Sequence, residues 1–164
     1  MTRLPSLGPR GEGWVAMQFA LLAAIAAAGP WTAATGSGPA GIALVVLGGA
    51  LIVLGGALAL RGAVDLRDAL TPLPHPRADA ELVEHGLYAR VRHPMYGGLI
   101  MAAVGWGLVW ASPTALILAG GLAVFFLLKS TREEAWLVER FPGYVAYRRR
   151  TRRFLPLPSR RPGI

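Results

Sequence analysis

Residues 40–60 read AGIALVVLGGALIVLGGALAL, an apolar run of 21 residues that contains no charged side chain. A helix of about 20 apolar residues spans the hydrocarbon core of a bilayer, so this run predicts a transmembrane helix. A second run of sufficient length covers residues 14–35. Two shorter apolar runs cover residues 95–111 and 114–128, with only Ser112 and Pro113 between them.

The Ser112–Pro113 pair is a helix-start signal, because serine caps the first turn of a helix and proline suits its first position. The two shorter runs therefore predict a tight helical hairpin, whose last helix continues past Leu128 into the polar residues 129–140. The predicted fold is all-α and integral to a membrane. It has about four transmembrane helices, the last two forming the hairpin, with a cytoplasmic loop before the hairpin and a C-terminal helix after it.

The composition fits one membrane domain. Of the 164 residues, 54% are hydrophobic, and the mean hydropathy is +0.45. The chain has no cysteine, which excludes disulfides, thiolate catalysis and cysteine-based metal sites. The formal net charge of +8 suits either nucleic acid or anionic lipid headgroups, and the positions of the charges decide between the two.

All 17 Lys and Arg residues lie before the first apolar run, between residues 61 and 93, or after Leu128. The other two connections carry none, so the positive-inside rule places both termini and the 61–93 loop in the cytoplasm. A basic membrane surface is favoured over nucleic-acid binding, because no nucleic-acid-binding motif accompanies the charge. A single Lys among many Arg, with abundant Ala, Gly and Pro, indicates a GC-rich bacterial genome and hence a bacterial inner membrane.

The N-terminus allows a second interpretation. Arg3 and Arg10, the apolar run after them and the alanines at 26–28 resemble a secretory signal peptide. Cleavage would leave three helices and place the new N-terminus outside the cell. The intact mass of the purified protein distinguishes a retained helix from a cleaved one.

Small residues recur every seven positions in the run at 40–60. Because seven residues are close to two helical turns, such residues fall on one face and allow close helix packing. A glycine-rich nucleotide loop would need a strand before it, and the unbroken apolar run offers none. The predicted packing stripe consists of Gly41, Gly48 and Gly55, with Ala43, Ala50 and Ala57 and with Gly49 and Gly56.

The first cytoplasmic segment ends with Gly86-x-Tyr88 and then Arg92-His93-Pro94-x-Tyr96-x-Gly98. Pro94 suits the first position of the third helix, which places His93 near its cap and leaves free amides that attract anionic groups. The rings of Tyr88 and Tyr96 are suited to stacking on a purine or a cation. Composition alone leaves an equal alternative, in which the tyrosines form an interfacial aromatic belt and His93 only caps the helix.

The second segment places Glu133 and Glu134 about one turn beyond the apolar end of the fourth helix. Lys129 and Glu133 share a helix face at spacing i, i+4. An acid close to a membrane is costly unless it is paired or solvated, so these residues are candidates for function. The alternative is an exposed helix end with a surface ion pair. His75 and His85 have no metal-ligand spacing, and no metal site is predicted.

Together these residues resemble the isoprenylcysteine carboxyl methyltransferase and phospholipid methyltransferase superfamily, in its short bacterial membrane branch. The resemblance covers about residues 66–156 and includes LTPLP at 70–74. The matching positions are Leu82, Val83, Gly86, Tyr88, Arg92, His93, Pro94, Tyr96, Gly98, Glu133, Glu134, Tyr144, Tyr147, Arg153, Phe154 and Pro156.

The resemblance implies S-adenosyl-L-methionine as the methyl donor, and Glu133 as the contact of its ammonium group. It implies that the donor pocket is lined by Leu82, Val83, Tyr88, His93, Pro94, Met95 and Tyr96. Lys129 stands where the prenylcysteine enzymes have an Arg that faces the substrate carboxylate, and it lacks the bidentate fork of Arg. Lys129 and Glu133 are thus the implied catalytic residues. Ala80 and Ala69 replace a His and an Asn that relatives carry at these positions.

The function implied is methyl transfer to a hydrophobic or lipid-like acceptor that enters from the bilayer, by carboxyl O-methylation or N-methylation. Residues 1–62 would hold two transmembrane helices, 63–158 the methyltransferase core and 159–164 a tail. One alternative is an NADPH-dependent membrane reductase, although Met95 and Leu99 stand where sterol reductases usually have Asn and Asp. The other is a non-catalytic accessory protein on the same fold, suggested by Lys129, Ala80 and Ala69.

Overall fold

The structure, a computed structural model, describes residue 5 and residues 7–34, 38–67 and 81–156. Five α-helices account for most of these residues, with a short 3-10 helix at Gly86–Ala89. Within the described ranges the only β-type pairing is an isolated bridge between Val91 and Arg152, so the predicted all-α class is confirmed. The helices are α1 (Glu12–Trp31), α2 (Pro39–Leu66), α3 (Pro94–Val109), α4 (Pro113–Arg140) and α5 (Tyr144–Arg150).

Helices α1, α2 and α4 are long and apolar enough to cross a membrane, by length and composition. Helix α3 is also apolar but has only 16 residues. Large apolar side chains such as Val46, Val53 and Ile117 are exposed on the outside of the bundle, as expected for surfaces that face lipid. The chain therefore has the architecture of an integral membrane protein. The proposed division at residues 62–63 stays a prediction, and α2 runs through it.

The predicted hairpin between α3 and α4 is confirmed. The Ser112 hydroxyl accepts a hydrogen bond from the Ala115 amide at 3.0 Å, and Pro113 is the first residue of α4. The same hydroxyl contacts Thr32 at 2.5 Å, and it donates to the Ala28 carbonyl at 3.2 Å. Ser112 therefore caps α4 and also joins the hairpin turn to the end of α1.

Helices α2 and α3 approach each other through glycines. A Cβ atom placed on Gly55 would lie 2.5 Å from the Gly98 carbonyl oxygen, and one placed on Gly48 would lie 2.5 Å from that of Gly105. The predicted packing stripe is thus correct for Gly48 and Gly55. It is wrong for Gly49 and Gly56, where an added Cβ would meet no atom within 4 Å. One residue further along a helix is a rotation of about 100°, which turns these glycines away from α3.

We expect Gly55→Ala to destabilise the protein by about 1–3 kcal/mol, because the new methyl group overpacks a backbone contact. Gly56→Ala is the matched control, and should be neutral or stabilising by up to about 1 kcal/mol because alanine favours the helix. Unfolding of both variants in mild detergent measures the difference. Equal stabilities would show that α2 and α3 do not pack at this distance.

The loop before α3 is fixed at both ends. The carboxylate of Asp65, near the end of α2, accepts a hydrogen bond from the Leu87 amide at 2.8 Å. Gly86 has φ +58 and faces this carboxylate, so both its backbone conformation and the space beside it require glycine. The 3-10 helix is thereby attached to α2 and carries Tyr88 into the interior.

The chain after α5 returns to cover the start of α3. The amides of Arg92 and His93 donate to the carbonyls of Arg152 and Arg153, each at 2.8 Å. The amide of Arg152 donates to the Arg90 carbonyl at 2.9 Å. A Cβ on Gly97 would clash with the Phe154 carbonyl, so the first turn of α3 is in direct contact with this returning segment. The two polar segments of the sequence therefore meet at one end of the bundle.

Candidate active site at the start of helix α3

His93 occupies the cap position of α3, and Pro94 is the first helical residue, as predicted. The imidazole makes no capping hydrogen bond. It faces the acidic pair on α4 instead: Nε2 donates to Glu134 Oε1 at 3.1 Å, and Nδ1 lies 3.5 Å from Glu133 Oε2. The interpretation of His93 as only a helix cap is therefore wrong, and its side chain joins the two polar segments.

Tyr96 and His93 contact the Glu133 carboxylate, and neither of them is a permanent cation. Its Oε1 accepts a hydrogen bond from the Tyr96 hydroxyl at 2.5 Å, and its Oε2 faces the His93 ring. Its side chain is 12% exposed, and that of Lys129, one turn before it, is 2% exposed. The interpretation of this stretch as an exposed helix end with a surface ion pair is therefore wrong. The acid lies inside the fold, at the place where the loop before α3 meets α4.

Glu134 has a different environment from its neighbour. Its Oε1 accepts a hydrogen bond from Arg92 Nε at 2.8 Å, and its Oε2 lies 3.4 Å from Arg153 Nη2. These two guanidinium groups, with that of Arg148 at 3.9 Å, neutralise this buried carboxylate. Glu134 joins three segments of the fold, whereas Glu133 is contacted by Tyr96 and His93.

The Tyr96 ring organises the side chains around Glu133. It stacks on His93 with centroids 5.4 Å apart and on Phe126 with centroids 4.3 Å apart. The Lys129 ammonium nitrogen lies 5.0 Å from the ring centroid, a cation–π distance. The sequence left open whether this ring stacks on a purine or a cation or belongs to an interfacial aromatic belt. In this structure the neighbouring cation is Lys129, and the hydroxyl points to Glu133.

The other tyrosines of the motifs support the loop from behind. The Tyr147 hydroxyl donates to the Tyr88 carbonyl at 2.8 Å. Burial raises the pKa of Tyr147 to about 12 and raises those of Tyr88 and Tyr144 further. All three phenols are therefore protonated at neutral pH. Tyr88 is buried, and its backbone is held by Tyr147.

The remaining predicted site residues are not brought to the acidic pair by any described contact. Pro94 and Met95 pack toward α2, since a Cβ on Gly62 would lie 3.0 Å from a side-chain carbon of each. Leu82 and Val83 are half-buried in the irregular residues before the 3-10 helix. Ala69, Ala80, His75 and the LTPLP stretch at 70–74 lie outside the described residues.

Two features of the site were missed from the sequence. Arg92 was matched to a motif, but its ion pair with Glu134 was not predicted. Gln18 of α1 was not considered at all, yet its amide oxygen accepts a hydrogen bond from Lys129 Nζ at 2.6 Å. A signal was available, because Gln18 is an uncharged polar residue inside an apolar membrane helix, where such residues usually have partners on other helices.

Comparison with known proteins identifies the family of the chain. The model of the phospholipid methyltransferase family matches residues 43–143, more than half of the chain. The chain belongs to the phospholipid methyltransferase family. Among curated proteins, none matches the chain significantly.

The family match differs in extent from the sequence-based resemblance to residues 66–156. It begins earlier, inside α2, and ends before α5. It includes His93, Tyr96, Lys129 and the acidic pair, and it leaves out α1 and the returning segment after α5. The chain is thus a member of a family of membrane methyltransferases and has the fold of an enzyme. The region that matches the family model contains a cluster of polar side chains.

Proposed function

We propose that this protein transfers a methyl group from S-adenosyl-L-methionine to a hydrophobic or lipid-like acceptor. The observation that carries the proposal is the environment of Glu133. This carboxylate is nearly enclosed, it is held by Tyr96 and His93, and the arginines nearby pair with Glu134 instead. Such a group stabilises a positively charged ligand. Because the chain belongs to a methyltransferase family, we propose that this ligand is the methyl donor.

The residues present fit this donor by their chemistry. Glu133 would hold the ammonium group of its amino-acid portion. The first free amides of α3 would face its carboxylate, since a helix start favours anions. His93 would line the pocket beside Glu133. Tyr88, Leu82, Val83, Pro94, Met95 and Tyr96 complete the proposed set of donor contacts. The bound donor supplies an electrophilic methyl group on a sulfonium, and the residues around it contribute mainly alignment and proximity.

The acceptor is proposed to enter sideways from the bilayer and to react by carboxyl O-methylation or N-methylation. Lys129 lies beside the Tyr96 ring, on the apolar side of Glu133 along α4. His93 is a poor general base in this arrangement, because both of its ring nitrogens face carboxylates. A carboxylate acceptor needs no base, which agrees with that placement.

The proposed location is the bacterial inner membrane, with both termini and the active site on the cytoplasmic side. Exposed arginines of α5 and its surroundings, such as Arg148 and Arg150, would face anionic lipid headgroups. A water-soluble donor would then reach the site from the cytoplasm while the acceptor stays in the lipid. We propose no nucleic-acid partner for the basic surface.

Purified protein in detergent is expected to bind S-adenosyl-L-methionine and its demethylated product, and both should raise the melting temperature. NADPH is the matched control for the reductase alternative, and it should leave the melting temperature unchanged. Isothermal titration measures the affinities directly. Absence of binding at millimolar donor would overturn the proposal, and stabilisation by NADPH alone would favour the reductase.

The accessory-protein alternative predicts donor binding without transfer. Incubation of the protein with methyl-labelled donor and a bacterial lipid extract distinguishes it from an enzyme. We expect label to enter the lipid fraction with the wild-type protein and not with Glu133→Ala. Label in neither sample, with donor binding intact, would make the protein a non-catalytic member of the family.

A further inference from the structure

Lys129 lies one turn before Glu133 on α4, but the two side chains form no ion pair. The spacing i, i+4 places them on the same helix face, where a lysine and a glutamate attract each other. The ammonium donates instead to the amide oxygen of Gln18 on α1, at 2.6 Å. Its distance from the Glu133 carboxylate exceeds the 4.0 Å of an ion pair. A contact with another helix therefore determines where this ammonium lies.

The position of Gln18 is fixed by the packing of α1 against α4. Trp14, one turn before Gln18, packs against Phe125 of α4 with ring centroids 5.6 Å apart. Toward the other end of α1, the Ser112 hydroxyl donates to the Ala28 carbonyl at 3.2 Å. An ammonium group can only donate, so it is the amide oxygen of Gln18 that faces α4. The helix is thus attached on both sides of the residue that holds the ammonium.

Tyr96 contacts both charged side chains. The Lys129 ammonium nitrogen is 5.0 Å from the ring centroid, and the Tyr96 hydroxyl donates to Glu133 Oε1 at 2.5 Å. The lysine and the acid are therefore neighbours, separated because the lysine points to α1. A lysine side chain has a flexible stem of four carbons. Without the Gln18 oxygen, the ammonium would turn to Glu133, the acid one turn away on the same face.

We propose that Gln18 is a positioning residue for donor binding, because it holds the Lys129 ammonium away from the Glu133 carboxylate. This role rests on the proposed function, in which Glu133 binds the ammonium group of the donor. A lysine paired with Glu133 would occupy that carboxylate and repel a second cation. The amide of Gln18 accepts the hydrogen bond of the lysine and carries no charge of its own.

The proposal makes donor affinity depend on α1. This helix lies outside the region that matches the family model, and the contact joins residues 111 positions apart. A purely structural role for the pair, tying α1 to α4, would change only stability. The two roles are separable, because a lysine paired with Glu133 would weaken only those ligands that place a cation at that carboxylate.

Isothermal titration of the full chain in mild detergent tests this difference. S-adenosylhomocysteine, the demethylated product, carries the ammonium group, and methylthioadenosine lacks it. We expect Gln18→Leu to weaken S-adenosylhomocysteine binding by at least about tenfold and to leave methylthioadenosine binding unchanged. Gln18→Glu should keep the wild-type affinity, because a carboxylate at this position still holds the ammonium. Met17→Leu, on the exposed surface of α1, is the control and should also keep it.

A second substitution shows whether Gln18 acts through Lys129. In the Lys129→Met background there is no ammonium to pair with Glu133, so Gln18→Leu should no longer affect S-adenosylhomocysteine affinity. Folding is expected to survive, because replacing a buried charge with an apolar side chain is often neutral or stabilising. Melting temperatures of the same variants check the fold. A tenfold loss that persists in this background would mean that Gln18 acts through helix packing, and the proposal would be wrong.

The ion pair can also be observed without any ligand. Lys129 is the only lysine of the chain, so isotope-labelled lysine gives a single side-chain NMR signal. We expect Glu133→Gln to shift this signal more in the Gln18→Leu background than in the wild type. Equal shifts in both backgrounds would overturn the proposal. A larger shift in a protein that binds no S-adenosyl-L-methionine would leave the hold of Gln18 on Lys129 intact and refute the proposed function.

Discussion

Replacing Arg92 with methionine is expected to lower the free energy of unfolding by about 3–5 kcal/mol, because it leaves a buried carboxylate without its main partner. Arg92 Nε lies 2.8 Å from Glu134 Oε1, and the two side chains are 9% and 2% exposed. The guanidinium also donates to the backbone carbonyls of Arg148 and Thr151. One side chain therefore holds the loop before α3, the acidic end of α4 and the segment after α5.

Arg90→Met is the matched control, since Arg90 is exposed on the same loop and its loss should change stability by no more than about 0.5 kcal/mol. Chemical unfolding in detergent measures both variants. The double variant Arg92→Met/Glu134→Gln should recover part of the loss, because it removes the unpaired charge. If Arg92→Met and Arg90→Met were equally stable, the buried ion pair would not hold these segments together.

The helices could be predicted from the sequence because each is specified by signals within its own residues. The uncharged run at 40–60, the Ser112–Pro113 start signal and Pro94 at the start of α3 require no knowledge of distant residues. The extension of α4 past Leu128 also followed from the sequence. The structure confirms each of these, with α4 reaching Arg140.

The order of the motifs predicted that the two polar segments lie together. It did not predict which side chains pair with each other. Glu133 and Glu134 are adjacent and chemically identical in the sequence. Only the packing of α4 against the loop shows that arginines hold Glu134 while Tyr96 binds Glu133. The direction in which a side chain leaves a helix depends on rotation, and one residue corresponds to about 100°.

Long-range contacts explain the other omissions. The backbone pairing of Arg92 and His93 with Arg152 and Arg153 joins residues about 60 positions apart, and the Gln18–Lys129 contact spans 111. Neither has a local pattern that marks its partner. For the same reason the small-residue stripe predicted a packing face but gave Gly56 the same role as Gly55, although only Gly55 faces α3.

Glu133→Gln is expected to weaken donor binding by at least 30-fold, which corresponds to about 2 kcal/mol. The substitution removes the negative charge and keeps an oxygen that can accept the Tyr96 hydrogen bond, so the fold should be retained. Glu139→Gln, on the exposed last turn of α4, is the control and should leave binding unchanged. Isothermal titration with S-adenosylhomocysteine measures the effect.

The same titration with methylthioadenosine tests whether Glu133 acts on the ammonium group, because that ligand lacks the amino-acid portion of the donor. The wild type should bind S-adenosylhomocysteine much more tightly than methylthioadenosine. Glu133→Gln should lower the ratio of the two dissociation constants by the full 30-fold. Equal weakening for both ligands would mean that the substitution disturbs the pocket as a whole. The role of Glu133 as the ammonium contact would then be wrong, since an ion pair at that carboxylate can affect only the ligand that carries the cation.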